Sequence, residues 1–317
     1  MRSSPLFKYG GFLLLAAAGV AAPFVLYPVL LMKALCFALF ACAFNLLLGY
    51  TGLLSFGHAA FFATAGYIAG YFMTVRHFGP AAGLLTGTLA AAALGFIIGS
   101  LVARRQGIYF SMITLAMAQL MYFIYLEAPF TGGEDGLQAI PRGRLFWVIN
   151  LENDRTLYYV VLGIVALGIA LIWRTIHSPF GQVLKAIREN EPRAISLGYN
   201  VNRYKVLAFV ISAALAGLAG ATKALVFGFV TLTDADWHTS GDVVLMTLLG
   251  GLGTVSGPIV GAFGIVILED QLSDKVGSFV TVITGAIFII CVLIFRRGIV
   301  GEAAALYRRV VGVREVR

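Results

Sequence analysis

Residues 178–202, SPFGQVLKAIRENEPRAISLGYNVN, form a polar segment between long apolar runs. Ser178 followed by Pro179 is a typical helix start, because the hydroxyl caps free backbone N–H groups and proline suits the first helical position. The pattern predicts a helix up to Gly198, bent at Pro192, whose apolar face comprises Phe180, Val183, Leu184, Ile187, Ala194 and Ile195. Such a helix, held between two spans, is a rigid element that a soluble partner can move. The alternative is a helix that rests on the lipid surface.

The rest of the chain is mostly apolar. Of its 317 residues, 60% are hydrophobic and 12% are charged, against about 25% charged residues in an average soluble protein. A membrane span needs about 20 apolar residues. The sequence therefore predicts an all-α, polytopic helical membrane protein that forms a single transmembrane domain over residues 1–317. The apolar runs are 11–31, 32–50, 59–75, 81–103, 108–128, 156–173, 205–230, 242–268 and 278–295.

Basic residues are distributed unevenly over the loops. Sixteen of them fall on one side with four acids, and that side includes the polar segment and the basic tail 296–317. The other side has six bases and eleven acids, and it includes residues 129–155. Because basic residues concentrate in cytoplasmic loops, we expect both termini and the polar segment in the cytoplasm and residues 129–155 as a loop on the opposite face. The net charge of +8 then reflects orientation in lipid and not nucleic-acid binding.

The run 242–268 presents a parity problem. A single crossing there would place acidic residues 269–274 inside and the basic tail outside, against the charge rule. The conflict disappears if the run dips into the membrane and returns, with its break at the glycine-rich residues 250–258. We therefore predict about eight full spans plus one broken, re-entrant helix pair beside a pathway, since irregular backbone at that depth must be buried or line a cavity. The count treats 11–31 as an uncleaved span, because it is too long for a usual signal peptide.

Two glycine-interrupted segments share the pattern L-L-G-x-x-G-x-x-S, at residues 47–55 and 248–256. Matching interruptions in two halves of a transporter indicate an internal repeat and its transport pathway. Chance is the alternative in a chain with 37 glycines. The predicted pathway residues are Asn45, Gly52, Ser55, Gly57, His58, Gly250, Gly253 and Ser256.

Several polar residues in or beside the runs have two interpretations. His58 either contacts a substrate carboxylate or gate, or is hydrogen-bonded to a nearby carbonyl that holds the break together. Asn45, Thr114 and Gln119 either line the pathway or join helices. Lys223 is expected to extend to the surface, with a salt bridge to Asp234 or Asp236 as the alternative. Residues 131–136, TGGEDG, form either a solvated turn or a loop that meets another protein.

No catalytic chemistry is evident in the sequence. The three cysteines, Cys36, Cys42 and Cys291, fall within apolar runs and predict neither a disulfide framework nor a metal site. Nothing matches the phosphate-binding pattern G-x-x-x-x-G-K-[ST], so this chain is not expected to hydrolyse ATP itself. The predicted protein is not an enzyme and has no cofactor.

Four stretches together resemble the permeases of branched-chain amino acid ABC importers, in particular their LivM-type subunits. They are NLLLGYTGLLSFGHAAFFATAGYIAG (45–70), TGGEDGL (131–137), SPFGQVLKAIRENEPRAISLGYNVNRYKVLAF (178–209) and LLGGLGTVSGPIVGA (248–262). The resemblance implies transport of hydrophobic amino acids with a LivH-type permease, two ATPase subunits of LivG and LivF type and a periplasmic binding protein. It implies a bacterial inner-membrane protein with 129–155 as a periplasmic loop, in which Glu134 and Asp135 contact the binding protein or the mouth of the pathway. It also implies coupling to the ATPases through Glu189, Glu191, Arg193, Ala194 and Gly198.

Two other functions remain open from the sequence. A related permease for urea or short amides would share every quoted motif. An autonomous secondary carrier or channel would transport without ATP or partners. The polar segment lacks a literal Glu-Ala-Ala, having Glu191-Pro192-Arg193-Ala194.

Overall fold

The computed structural model describes residues 19, 22–24, 27–145, 149–294 and 298–302. Most of these residues are helical, which confirms the predicted helical class. The α-helices are α1 (Pro28–Thr51), α2 (His58–Thr74), α3 (Pro80–Val102), α4 (Gly107–Glu127), α5 (Asp154–His177), α6 (Pro179–Glu189), α7 (Glu191–Ser196), α8 (Val201–Phe227), α9 (Trp237–Gly250), α10 (Ser256–Val276) and α11 (Val280–Ile294).

Within the described residues, five helices are long and apolar enough to cross a membrane by length and composition. They are α1, α3, α4, α5 and α8. This establishes a multi-pass helical membrane protein. Most of the predicted first span, 11–31, and most of the tail, 296–317, lie outside the described residues.

Helix α8 is the central packing element and contacts α1, α2 and α3. Small residues let these helices approach each other closely. A β-carbon added at Gly220 would lie 2.0 Å from the Phe62 carbonyl oxygen of α2, and one at Gly95 of α3 would lie 2.4 Å from the Ala213 β-carbon. The bundle is thus assembled by contact between helix backbones.

The loop predicted over 129–155 contains the described exceptions to the all-α class. Strands β1 (Arg144–Leu145) and β2 (Ile149–Asn150) pair antiparallel, and Leu137 forms an isolated bridge with Val230 just after α8. Arg142 forms a salt bridge with Asp154 at the start of α5. The loop therefore closes over the carboxyl end of α8.

The polar segment differs from the predicted single helix bent at Pro192. It forms two helices, α6 and α7, separated at Asn190, whose side chain accepts a hydrogen bond from the Arg193 backbone N–H. Pro192 lies in the first turn of α7, where its missing N–H costs nothing. Of the predicted apolar face, Leu184, Ile187 and Ala194 are buried, whereas Ile195 is exposed, because the break rotates the second helix.

The run 242–268 is interrupted, as predicted. Helix α9 ends at Gly250 and α10 begins at Ser256. A β-carbon at Gly250 would lie 1.9 Å from the Gly257 oxygen, and one at Gly261 would lie 1.9 Å from the Met246 oxygen. These pairings show two antiparallel helices in backbone contact, which we call the hairpin (residues 237–276).

Candidate coupling and translocation site

The two glycine-interrupted segments lie side by side. Asn45 of α1 donates from Nδ2 to the Thr254 oxygen over 2.7 Å, and its Oδ1 accepts from the Gly253 backbone N–H over 3.1 Å. The Tyr50 hydroxyl donates to the Gly253 oxygen over 2.8 Å. Residues 45–50 and 253–254 are therefore joined by a network that satisfies the irregular backbone at the tip of the hairpin.

Gly49 allows this close approach. A β-carbon at this position would lie 2.2 Å from Asn45 Oδ1 and 2.9 Å from the Gly253 nitrogen, so no larger residue fits without displacement. Gly52 and Gly253, which occupy the same place in the shared pattern, both adopt left-handed backbone, with φ of 75° and 73°. That conformation strongly favours glycine.

The predicted pathway residues at the start of α2 are packed tightly. Ser55 is buried and its hydroxyl accepts a hydrogen bond from the Gly57 backbone N–H. A β-carbon at Gly57 would lie 2.8 Å from the Thr114 oxygen of α4, and the Thr114 hydroxyl accepts from the Phe56 N–H. Thr114 thus joins α4 to the residues between α1 and α2.

His58 is fully buried, and its Nε2 lies 2.8 Å from the Ser212 hydroxyl of α8. The Ser212 hydroxyl donates its single proton to the Ala43 oxygen over 2.6 Å. The imidazole must therefore donate from Nε2, which leaves Nδ1 as a bare acceptor that has no partner among the described residues.

Aromatic rings enclose this imidazole. The rings of Phe44 and Phe61 meet it edge-on, with centroids 5.1 and 5.6 Å away, and the Phe209 ring lies at 6.1 Å. His58 consequently joins α1, α2 and α8 about two thirds of the way along α1, instead of facing an open passage in this conformation.

At the other break, Gly250 is buried, Gly253 is half-buried and Ser256 is the first residue of α10. The Thr254 hydroxyl donates to the Gly251 oxygen and accepts from the Gly257 N–H, both over 3.0 Å. Thr254 was not among the predicted pathway residues, although a threonine just before a helix is a typical capping signal.

The five predicted coupling residues have different environments. Glu189, Arg193 and Gly198 are exposed on the outer surface of the polar segment, and Gly198 has a left-handed φ of 86°. Ala194 is buried in a small cluster with Ile187 and Val201. Glu191 accepts two hydrogen bonds from Lys205, whose side chain is only 2% exposed. Glu191 therefore anchors α7 to α8.

Arg188 was not identified from the sequence. It is the penultimate residue of α6, and its guanidinium donates to the Gly49 oxygen at the end of α1. Lys185, one turn earlier, lies over the Tyr50 ring, with 5.8 Å between Nζ and the ring centroid. A run of basic residues on an amphipathic helix indicates an exposed surface, so the sequence offered no signal for these inward contacts.

Glu134 and Asp135 lie at the opposite end of the molecule from the polar segment. They belong to an exposed 3-10 turn, Gly133–Asp135, beside the Leu137 bridge to Val230. Val230 follows the carboxyl end of α8, whereas the Lys205 anchor lies near its amino end. The two groups are thus separated by most of a 27-residue helix whose full length is about 40 Å at 1.5 Å per residue.

Lys223 corrects an expectation. Instead of extending to the surface, it forms a salt bridge with Asp234 in the 3-10 turn Leu232–Ala235, and both side chains are largely buried. The pair joins the end of α8 to the segment that leads into the hairpin.

Within the described residues, no group of His, Cys, Asp or Glu side chains is arranged to hold a metal ion.

Comparison with known proteins agrees with this architecture. Residues 28–295 match the family described as branched-chain amino acid transport system / permease component, and the chain belongs to that family. No solved structure matches the chain.

Individual relatives include two LivM proteins. The chain is 31% identical over 264 residues to the "High-affinity branched-chain amino acid transport system permease protein LivM" of Escherichia coli (strain K12), covering 73% of this chain and 60% of the relative. The Salmonella typhimurium LivM shows the same identity and coverage over 261 residues. The match to E. coli LivH is 24% over 287 residues, with 84% and 91% covered. The chain therefore spans about 60% of the length of the LivM relatives that it matches.

Proposed function

We propose that this chain is a membrane-spanning permease subunit of an ATP-driven importer for branched-chain, hydrophobic amino acids. The observation that carries the proposal is the family match over residues 28–295, which includes the polar segment and both breaks. The printed names of the LivM and LivH relatives supply the substrate class. The chain itself makes and breaks no covalent bond.

The proposed partners follow from the two ends of the molecule. Two ATPase subunits of LivG and LivF type dock on the exposed surface of the polar segment, at Glu189, Arg193 and Gly198, with Glu191 and Ala194 holding that surface on the bundle. A LivH-type permease completes the membrane unit, surrounded by lipid. A periplasmic binding protein delivers the substrate near Glu134 and Asp135, whose exposed turn lies at the far end of α8.

The orientation is part of the same proposal. With the polar segment in the cytoplasm of a bacterial inner membrane, the hairpin enters from the periplasmic side and returns, which leaves eight full spans if 11–31 is counted. The position of Gly298 supports a cytoplasmic carboxyl terminus, because a β-carbon there would lie 2.4 Å from the Gly251 α-carbon at the tip of the hairpin. Both termini are then cytoplasmic.

The shared glycine pattern supports an internal repeat of parallel sense. Thr247 of α9 contacts the Ala41 oxygen of α1. Later in the sequence of both segments, Gly253 contacts Asn45. Helices α1 and α9 therefore run in the same direction, and a left-handed glycine follows each of them, Gly52 directly after α1 and Gly253 three residues after α9. The translocation pathway is proposed to open between these breaks, at Asn45, Gly52, Ser55, Gly57, His58, Gly250, Gly253 and Ser256.

Purification in mild detergent, followed by reconstitution, tests the proposal. We expect the tagged chain to co-purify with one homologous permease and two ATPases. Vesicles containing that complex, with binding protein outside and ATP inside, should accumulate leucine or valine. Uptake of urea in place of leucine would replace the proposed substrate class. Full uptake by the isolated chain without ATP would refute the whole proposal.

A further inference from the structure

Arg188 belongs to the polar segment and lies close to both glycine-interrupted segments, 47–55 and 248–256. Its guanidinium donates to the Gly49 oxygen. A β-carbon at Gly52 would lie 3.3 Å from Arg188 Cγ, and one at Gly253 would lie 3.4 Å from Nη1. One side chain of α6 therefore binds the end of α1 and lies beside the tip of the hairpin.

The electrostatics of this position favour a cation. The last carbonyl groups of a helix have no intrahelical partner and carry partial negative charge. Helix α1 ends at Thr51 and α9 ends at Gly250, so two such carboxyl ends converge beside the guanidinium. Arginine presents several donors in a planar fork, which suits a site where two backbones meet.

The neighbouring contacts reinforce the same connection. Lys185, on the same side of α6, lies over the Tyr50 ring, and the Tyr50 hydroxyl donates to the Gly253 oxygen. Asn45 then links Gly253 and Thr254 to α1. From α6 to the hairpin, every step is a direct hydrogen bond or ring contact.

We propose that Arg188 is a positioning residue that joins the polar segment to both breaks, so that α6, the end of α1 and the hairpin tip move as one unit. The inference rests on the proposed function, in which ATPases move the polar segment. Without Arg188 the polar segment would still be moved, but the hairpin would follow it less closely, through the Lys185, Tyr50 and Asn45 contacts alone. Loss of Arg188 therefore partly uncouples ATP hydrolysis from transport.

The test compares uptake per ATP hydrolysed in reconstituted complexes. R188Q should retain ATP hydrolysis but lower the ratio about tenfold or more, as expected for loss of one charge-assisted hydrogen bond. R188K keeps a positive charge near the helix ends but lacks the planar guanidinium. Its uptake per ATP should lie between the values for R188Q and the wild type. R203Q is the matched control, since Arg203 is an exposed cytoplasm-side arginine at the start of α8, and it should keep the wild-type ratio.

A second measurement needs no change at Arg188. Spin labels at the exposed positions Gln182 of α6 and Leu252 of the hairpin tip report the distance between the two elements. In the wild-type complex this distance should stay constant between the nucleotide-free and ATP-bound states. A change as large as one helical turn, about 5 Å, would overturn the proposal even if R188Q fails to assemble.

The outcomes separate this inference from the function on which it rests. A wild-type complex that neither hydrolyses ATP nor accumulates amino acid would refute the proposed function. If the wild type does both and R188Q shows the same uptake per ATP, only the role of Arg188 is refuted. An equal fall in uptake per ATP in R188Q and R203Q would also refute the role of Arg188, because the effect would then depend on surface charge in general.

Discussion

The ammonium group of Lys205 lies 2.8 and 2.7 Å from the two carboxylate oxygens of Glu191. This ion pair holds α7 against the start of α8, and the Lys205 side chain is almost completely shielded from water. A charge in such a position is stable only while its partner is present. The pair therefore fixes the polar segment on the transmembrane bundle.

Breaking the pair is predicted to destabilise the protein. E191K should lower the stability of the detergent-solubilised chain by about 3 to 5 kcal/mol, because it leaves a buried ammonium group unpaired beside a second cation. Thermal unfolding measures this. The exchanged pair, E191K together with K205E, should recover most of the loss. Stability in the double variant no better than in E191K would contradict an intrachain role for Glu191.

Gly49 is predicted to be intolerant of even one methyl group. G49A places a β-carbon against Asn45 and the Gly253 backbone, which should cost about 1 to 3 kcal/mol and reduce uptake by displacing the hairpin tip. Gly163, in α5, is the matched control, since a β-carbon there meets nothing within 4 Å. G163A should be neutral or slightly stabilising, and equal behaviour of the two variants would rule out the close approach.

His58 and Ser212 are predicted to be energetically coupled. H58Q and S212A should each destabilise the folded chain by about 1 to 3 kcal/mol, because each leaves a buried polar group without its partner. The double variant should lose less than the sum of the two, by about 1 kcal/mol. Additive losses, combined with a raised KM for uptake in H58Q alone, would instead indicate a substrate contact.

Gly198 is predicted to be required because of its backbone conformation, and not because a larger side chain would lack space. Its φ is 86°, and a β-carbon there would meet nothing within 4 Å. G198V should therefore disturb the end of the polar segment by about 1 to 2 kcal/mol and reduce uptake, whereas asparagine tolerates left-handed backbone better. G198N should retain most of the activity. A loss as large in G198N as in G198V would point to a docking surface that needs a bare backbone.

The hairpin predicts a labelling pattern. A cysteine replacing Phe279, an exposed residue after α10, should react with an impermeant thiol reagent from the periplasm. A cysteine replacing Asn202, the exposed last residue of the polar segment, should react only after the membrane is opened. The unsubstituted chain measures background from the native cysteines. Labelling of both positions from the same side would eliminate the hairpin.

Local signals in the sequence were sufficient for the helices and their interruptions. The apolar run 156–173 predicted most of α5, and the glycine-rich residues 250–258 predicted the gap between α9 and α10. Hydropathy and helix capping depend on residues a few positions apart, so they can be inferred from the sequence directly. The same locality explains an error: Pro192 suggested a bend, whereas the competing cap at Asn190 divided the polar segment into two helices.

The sequence alone determined that this chain is a helical membrane protein with one amphipathic polar segment and two matching glycine breaks. Only the tertiary structure decided that the breaks touch, that Arg188 reaches both, and that Lys223 pairs with Asp234. The Arg188 contact joins residues 139 positions apart, and the Asn45 contact with Thr254 joins residues 209 apart. No local pattern encodes such contacts, because they depend on how whole helices pack around α8.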